Sequence, residues 1–257
     1  MTGFAAPAGY VALSASGVEG AALAALEGPL REALAEGTFY AFAEHHPEAR
    51  QFSGRGIAYG VPLSTGDRVV VRRSRHGGLL GALRDDKFLG ATRAPHELEL
   101  SIKLRRLGVA TPEIVAYATY PAGAMFRRAD VVTREVPRSR DLAEALGALS
   151  RSDSKHALIA ATGKLLASLS IAGARHPDLN IKNILIADND FGGIEAYALD
   201  VDRVWMETPA KQSVLEANLR RLSRSAVKWR RIQRLPIEEA DLLAIESSAL
   251  ELIELSR

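Results

Sequence analysis

The chain contains no cysteine, which excludes disulfides, thiolate metal sites and cysteine nucleophiles. No run is long and apolar enough for a membrane-spanning helix, and Met1 to Pro7 lacks the basic start and apolar stretch of a secretory signal. An excess of one charge is also missing. Basic residues number 33 and acidic residues 31, so a net charge of +2 implies no global attraction to nucleic acid, and no nucleic-acid partner is expected. What remains is a chain of 257 residues, 47% hydrophobic, long enough for one large core or two small lobes. A soluble cytoplasmic protein, at most peripheral on a membrane, is expected.

The first fifty residues are rich in Ala and Gly, and Val18 to Glu36 is expected to be helical. The pair His45-His46 before Pro47 reads as a solvated turn, because adjacent residues share no helix face on which to hold a metal. From Phe52 the pattern becomes strand-like. Gly54-Arg-Gly56-Ile-Ala-Tyr-Gly60 is a glycine-rich turn whose backbone can approach phosphates closely; an ordinary tight turn is the alternative. Asp67 to Arg72 is a β-branched strand, and Arg93 to Leu107 a helix stopped by Gly108, with Pro112 beyond. In that helix Glu97, Leu100, Leu104 and Leu107 share one face. A carboxylate on a leucine stripe needs a cationic partner if it faces inward, and Arg72 is the candidate. Otherwise Glu97 lies solvated at the rim. A further strand is expected at Val131 to Val136, and a short helix capped by Asp141. A longer helix then carries Leu158, Leu165 and Leu169, and ends at Gly173, just before His176.

The chemistry concentrates in His176-Pro-Asp178-Leu-Asn-Ile-Lys-Asn183. Two strands follow, Ile184 to Ile186 and Ile194 to Leu199, joined by a turn at Asp188 to Gly193, and then Asp200. An antiparallel hairpin sets the start of its first strand beside the end of its second. Asn183 and Asp200 therefore meet, with Asp178 in the entering loop. This order is the one phosphoryl transfer uses. One carboxylate orients and deprotonates an attacking hydroxyl, while Asn and a second carboxylate hold Mg²⁺ against ATP phosphates. A kinase fold is predicted.

From about Gly54 to Lys228 the sequence resembles the eukaryotic-kinase-like enzymes of lipopolysaccharide synthesis, most of all the kinases of 3-deoxy-D-manno-octulosonic acid (Kdo). The resemblance is carried by Gly54-Arg-Gly56, Arg72-Arg-Ser-Arg-His-Gly77-Gly78, Arg93…Glu97…Leu104…Gly108 and Thr133-Arg-Glu135. It continues through the His176–Asn183 motif, Asp200-Val-Asp-Arg203 and Asn218-Leu-Arg-Arg-Leu-Ser-Arg-Ser225. It implies that Asp178 is the catalytic base, that Asn183 and Asp200 are metal ligands, and that His176 supports the Asp200 segment. It further implies nucleotide-binding roles for Gly54, Gly56, Arg72, Glu97 and Glu135, with ATP and Mg²⁺ as cofactors. Arg72 stands where protein kinases carry Lys, a departure because a planar guanidinium holds phosphate differently from an ammonium. Asn180 stands where Ser/Thr kinases carry Lys, leaving Lys182 to reach the transferring phosphoryl group.

After Asp200 a new helix is expected within about a dozen residues, too soon for a long activation segment. That favours a sugar or other small acceptor over a protein. The helix carries Leu215, Leu219, Leu222, Ala226 and Trp229 on one face, and no acidic residue occurs between Ala217 and Ile237. Its basic residues, Arg220 to Arg234, form either a solvated face or a docking surface for anionic glycolipid and membrane. The expected fold is α/β (α+β), two-lobed and protein-kinase-like. Residues 1–135 form a small β-rich lobe with the glycine-rich loop, a sheet and one helix, and residues 136–257 form a mostly helical catalytic lobe. The expected reaction is ATP-dependent phosphorylation of a sugar hydroxyl on Kdo–lipid A, by a protein on the cytoplasmic face of the inner membrane. The alternatives are a phosphotransferase for a heptose or another small alcohol, and a non-catalytic pseudokinase.

Overall fold

The computed structural model describes residues 6–15, 17–53, 56–74, 88–123, 125–149, 152–189, 192–207 and 212–256. The chain divides into two compact units, residues 1–99 with 113–135 and residues 100–112 with 136–257. The first is built on an antiparallel sheet of eight strands: β1 (Tyr10–Ala15), β2 (Val18–Leu23), β3 (Arg50–Ser53), β4 (Ile57–Pro62), β5 (Arg68–Arg73), β6 (Phe88–Leu89), β7 (Ile114–Pro121) and β8 (Phe126–Arg134). Their spatial order is β1-β2-β7-β8-β5-β4-β3, with β6 also on β8. β5 shows why its sequence is a strand, since Val69 and Val71 are buried while Arg68, Val70 and Arg72 alternate with them half-buried. In β7 every residue but Pro121 is buried. Helices α1 (Glu27–Ala35) and α2 (Phe39–His45) close the core, setting Leu30, Ala33, Phe39 and Ala43 in one cluster with Val61, Val69, Val71 and Val132. A third helix, α3 (Ala94–Arg106), ends where expected, with Gly108 at φ +80°.

Two expectations are corrected in this unit. Residues 18–36 are not one helix: Val18–Leu23 pairs with β1 on one side and β7 on the other, and after a short 3-10 turn at Ala24–Leu26 the α-helix begins only at Glu27. Gly20 explains the strand, because a Cβ there would lie 2.1 Å from the carbonyl oxygen of Tyr117. Among the described residues up to 135 there are also three α-helices, not one.

The second unit contains β9 (Ser139–Asp141), α4 (Leu142–Gly147), α5 (Ser152–Ile171), β10 (Ala174–Arg175), β11 (Ile184–Asp188), β12 (Ile194–Ala198), β13 (Trp205–Met206), α6 (Gln212–Gln233) and α7 (Glu239–Leu255). α5 is its central element, with Leu158, Leu165, Leu166 and Leu169 buried in the core shared with α6 and α7. The expected hairpin is β11–β12, in register from Ile184 opposite Ala198 to Asp188 opposite Ile194, with β9 on the outer side of β11. Asp141 caps α4 by accepting from the Glu144 N–H at 2.9 Å. The leucine stripe of α3 ends at Leu104, because Leu107 is exposed.

Candidate active site

The segment between β10 and β11 is held both by bonds within itself and by residues of the elements around it. His176 is 1% exposed, and its ring bridges two segments: Nε2 donates to the Leu199 carbonyl at 2.8 Å, and Nδ1 accepts from the Asp178 N–H at 3.3 Å. Both bonds require the neutral Nε2–H tautomer. Burial agrees, lowering the His176 pKa, with opposing contributions from the Leu199 carbonyl and the nearby carboxylates. The ring therefore ties the Asp178 loop to the residue before Asp200.

Asn183 continues the same construction. Its Nδ2 donates to the Asp178 carbonyl at 2.9 Å, which turns the amide oxygen away from that carbonyl. Its own carbonyl accepts from the Leu199 N–H at 2.9 Å, extending the hairpin ladder by one bond. Asp200 follows at φ +53° and ψ 52°, a left-handed conformation that Asp tolerates better than most residues, and it is exposed. The hairpin thus brings Asn183 and Asp200 to one end, as its register demands. Among the described residues no three His, Cys, Asp or Glu side chains converge on a common point. An amide oxygen and a carboxylate form an oxygen-only pair that suits a hard divalent cation completed by phosphate oxygens.

Asp178 Oδ1 accepts from Arg221 Nη2 of α6 at 2.6 Å, with Asn180 Nδ2 at 3.4 Å. Lys182 does not turn to this carboxylate. Its Nζ pairs with Asp141 Oδ2 at 2.8 Å and lies 5.6 Å from the Trp229 ring centre. Asp141 therefore serves twice, capping α4 with one oxygen and holding Lys182 with the other.

In the first unit, Arg72 of β5 donates to Glu97 of α3, and Glu97 is 2% exposed. The inward pairing is formed and the solvated alternative is not. Gly56 lies in a bend just before β4, while Gly54, Gly77 and Gly78 lie outside the described residues. Glu135 follows β8, and its carboxylate pairs with Arg50 and with Arg68 Nε, the latter at 3.0 Å. His45 is exposed at the end of α2, and His46 packs edge-on against Phe42 and accepts from the Glu48 N–H at 3.1 Å.

Sequence reasoning missed three residues of α6. Asn218, fully buried, accepts from the His176 N–H at 2.9 Å and donates to the Ala174 carbonyl at 3.0 Å. Ser225 accepts from the Ile181 N–H at 3.2 Å. Arg221, between them, reaches Asp178 instead of joining the solvated basic residues. Two polar residues interrupting an apolar helix face, at 218 and 225, were the available signal. The neighbouring face of α6 lines an open groove of about 630 Å³ against α7, with Leu219, Val227, Ile237 and Leu242 in its walls. None of Asn218, Arg221 and Ser225 lines it.

Residues 49–247 match the model of the lipopolysaccharide kinase (Kdo/WaaP) family. The chain is 30% identical to a 3-deoxy-D-manno-octulosonic acid kinase of Vibrio parahaemolyticus, over 79% of this chain and 82% of that one. It is 33% identical to the enzyme of the same name from Vibrio cholerae (68% and 72% covered), and 34% identical to that of Xanthomonas oryzae pv. oryzae (69% and 68%). A solved structure of WaaP in complex with acyl carrier protein matches with a TM-score of 0.54 and 17% identity over 89% of each chain, a likeness of fold. With the sheet-rich first unit and the helical second, the fold is protein-kinase-like, and the chain belongs to the lipopolysaccharide kinase (Kdo/WaaP) family.

Proposed function

We propose that this protein is an ATP-dependent kinase that phosphorylates a hydroxyl of Kdo in the lipopolysaccharide inner core, with Kdo–lipid A as acceptor. The observation that carries the reading is the braced loop in which His176, Asp178 and Asn183 are bonded to one another and to the segment ending at Asp200. Phosphoryl transfer needs positioned groups more than covalent chemistry, and this loop is built for position. The named activity of relatives at 30–34% identity supports the acceptor.

In this reading Asp178 orients the acceptor hydroxyl and takes its proton. Asn183 and Asp200 hold Mg²⁺, which supplies charge neutralisation on the ATP phosphates when bound. Arg72 holds nucleotide phosphate through its guanidinium fork, kept in place by Glu97, and Gly54 and Gly56 give the backbone close approach. Lys182 acts from its Asp141 pair, and Glu135 orders Arg50 and Arg68. The exposed basic residues of α6 from Arg220 onward, with Arg234 just past its end, dock on the anionic cytoplasmic face of the inner membrane, where a lipid-linked acceptor lies. Exposed Val227 and Ile232 among them add apolar contact.

Incubation with γ-labelled ATP, Mg²⁺ and Kdo–lipid A precursors tests the reading. Label should reach the Kdo-bearing acceptor, and Asp178→Asn should lower the rate by about 10²- to 10⁴-fold. Transfer to a heptose acceptor alone would favour the small-molecule alternative. An Asp178→Asn variant that keeps full biological function would favour the pseudokinase.

A further inference from the structure

Arg221 belongs by sequence to the basic run of α6, yet it behaves unlike its neighbours. Arg220 and Arg224 are exposed, whereas Arg221 Nη2 donates to Asp178 Oδ1 at 2.6 Å. The arginine side chain is 34% exposed and that of Asp178 14%. Arg221 Nε is buried with no hydrogen-bond partner among the described residues. A buried orphan donor costs stability, so the fold alone gives little reason for an arginine here.

Its neighbours on the same helix face supply the reason. Asn218 holds the backbone at Ala174 and His176, and Ser225 holds it at Ile181. Arg221 stands between them and meets the loop at Asp178, so α6 and the loop run in step. The backbone contacts fix where the loop lies, and of these three α6 residues Arg221 is the one that meets the carboxylate, on the oxygen that Asn180 Nδ2 approaches at 3.4 Å. A rigid planar guanidinium restricts the direction from which it meets the carboxylate oxygen, which a freely rotating ammonium does not.

We propose that Arg221 is the positioning residue of the reaction, holding the Asp178 carboxylate in the orientation from which it takes the acceptor's proton. This rests on Asp178 being the base. As the acceptor oxygen bonds to the γ-phosphorus and the β–γ bridging P–O bond breaks, the hydroxyl proton passes to Asp178 and ADP leaves. Arg221 neither gains nor loses a proton.

The test is steady-state kinetics of Arg221→Ala and Arg221→Lys beside wild type and Asp178→Asn, with folding followed by circular dichroism. Arg221→Ala should lower kcat by about 10- to 100-fold while KM for ATP and for acceptor stays within about twofold. Arg221→Lys, which pairs without orienting, should remain at least about fivefold below wild type. Added guanidinium ion should raise the rate of Arg221→Ala and leave Asp178→Asn unmoved. Combining Arg221→Ala with Asp178→Asn should cost no further rate, since the two act as one unit. An unchanged kcat in Arg221→Ala overturns the proposal. So does a raised acceptor KM at constant kcat, which would make Arg221 a grip on the acceptor's acidic group. If the alanine variant fails to fold, wild-type kcat in Arg221→Lys overturns it equally. Wild-type transfer to Kdo–lipid A checks the acceptor by itself. Should that fail, the same variants are compared on whichever acceptor the wild type uses, water included.

Discussion

A carboxylate as deeply buried as that of Glu97 costs stability unless a cation faces it, and Arg72 is that cation. In the proposed function Arg72 also holds nucleotide phosphate, and a double variant separates that role from the structural one. Arg72→Met leaves Glu97 facing an apolar side chain and should destabilise the protein by about 3 kcal/mol in urea titrations. Adding Glu97→Leu should recover most of that loss, because two apolar side chains can replace a buried ion pair. ATP affinity should not return with it. Both variants should bind ATP at least about tenfold more weakly, the loss of one charge-assisted contact worth about 1.5 kcal/mol. An ATP affinity that recovers with stability would assign the pair a purely structural role. At this scale the sequence was legible where residue type and spacing narrow the geometry. The hairpin brings Asn183 and Asp200 to one end and His176 ties in the Asp178 loop, and the Arg72–Glu97 pair followed from a carboxylate on a leucine stripe. Arg221 was not legible, because nothing in a run of basic residues says which one the helix turns inward.

Helix α2 is seven residues long, too short to stand by propensity, and is held by its N-terminal N–H groups. The Phe39 N–H donates to the Tyr120 hydroxyl at 2.9 Å, that of Tyr40 to Asp130 Oδ2 at 3.0 Å, and that of Ala41 to Thr38 Oγ1 at 3.0 Å. Burial pushes the Asp130 carboxyl up to about 6, partly offset by the Tyr40 N–H, the charge of Arg73 and the Tyr120 and Thr38 hydroxyls. Between its ordinary value near 3.8 and about 6, the folded protein binds this proton more tightly than the unfolded chain. Stability from this group is therefore greatest in acid and falls as pH rises through that window, by about 3 kcal/mol in all. Asp130→Asn accepts the Tyr40 bond without titrating. Its stability relative to wild type should rise by about 2.4 kcal/mol between pH 4 and pH 7, read from urea unfolding at both. A constant difference across the window would sink this account. Elements were legible where caps and periodicity act locally: Gly108, Asp141 and Gly173 ended or began helices as read. The β1–β2 pair was not, since Val18–Leu23 is Ala-rich and becomes a strand by pairing with β1 and β7. Its partner β7 lies some hundred residues away in the chain, beyond the reach of any local pattern.

For the whole molecule the net charge is nearly balanced, so any attraction to an anionic surface must come from the distribution of charge. No helix among the described residues is long and apolar enough to cross a membrane. Fold class was legible because motif order survives divergence. A docking face is harder to read, because a basic residue can serve solubility, docking or, as with Arg221, a contact to the Asp178 loop. Arg224, Lys228 and Arg231 are all exposed and lie on one face of α6 at spacings of four and three. If that face docks on anionic lipid, each contributes about 1 kcal/mol near the surface, within a Debye length of about 8–10 Å. Replacing all three with Glu should then weaken partition onto phosphatidylglycerol vesicles by at least about 100-fold in a sedimentation assay. Wild-type binding should fall steeply with added salt and be weak on neutral phosphatidylcholine vesicles. Phosphorylation of a soluble, delipidated acceptor should be unaffected by the triple change, since these side chains lie outside the Asp178 loop. Equal binding of wild type and variant to anionic vesicles would leave this face as solvated charge, and the lipid-linked acceptor would have to be reached some other way.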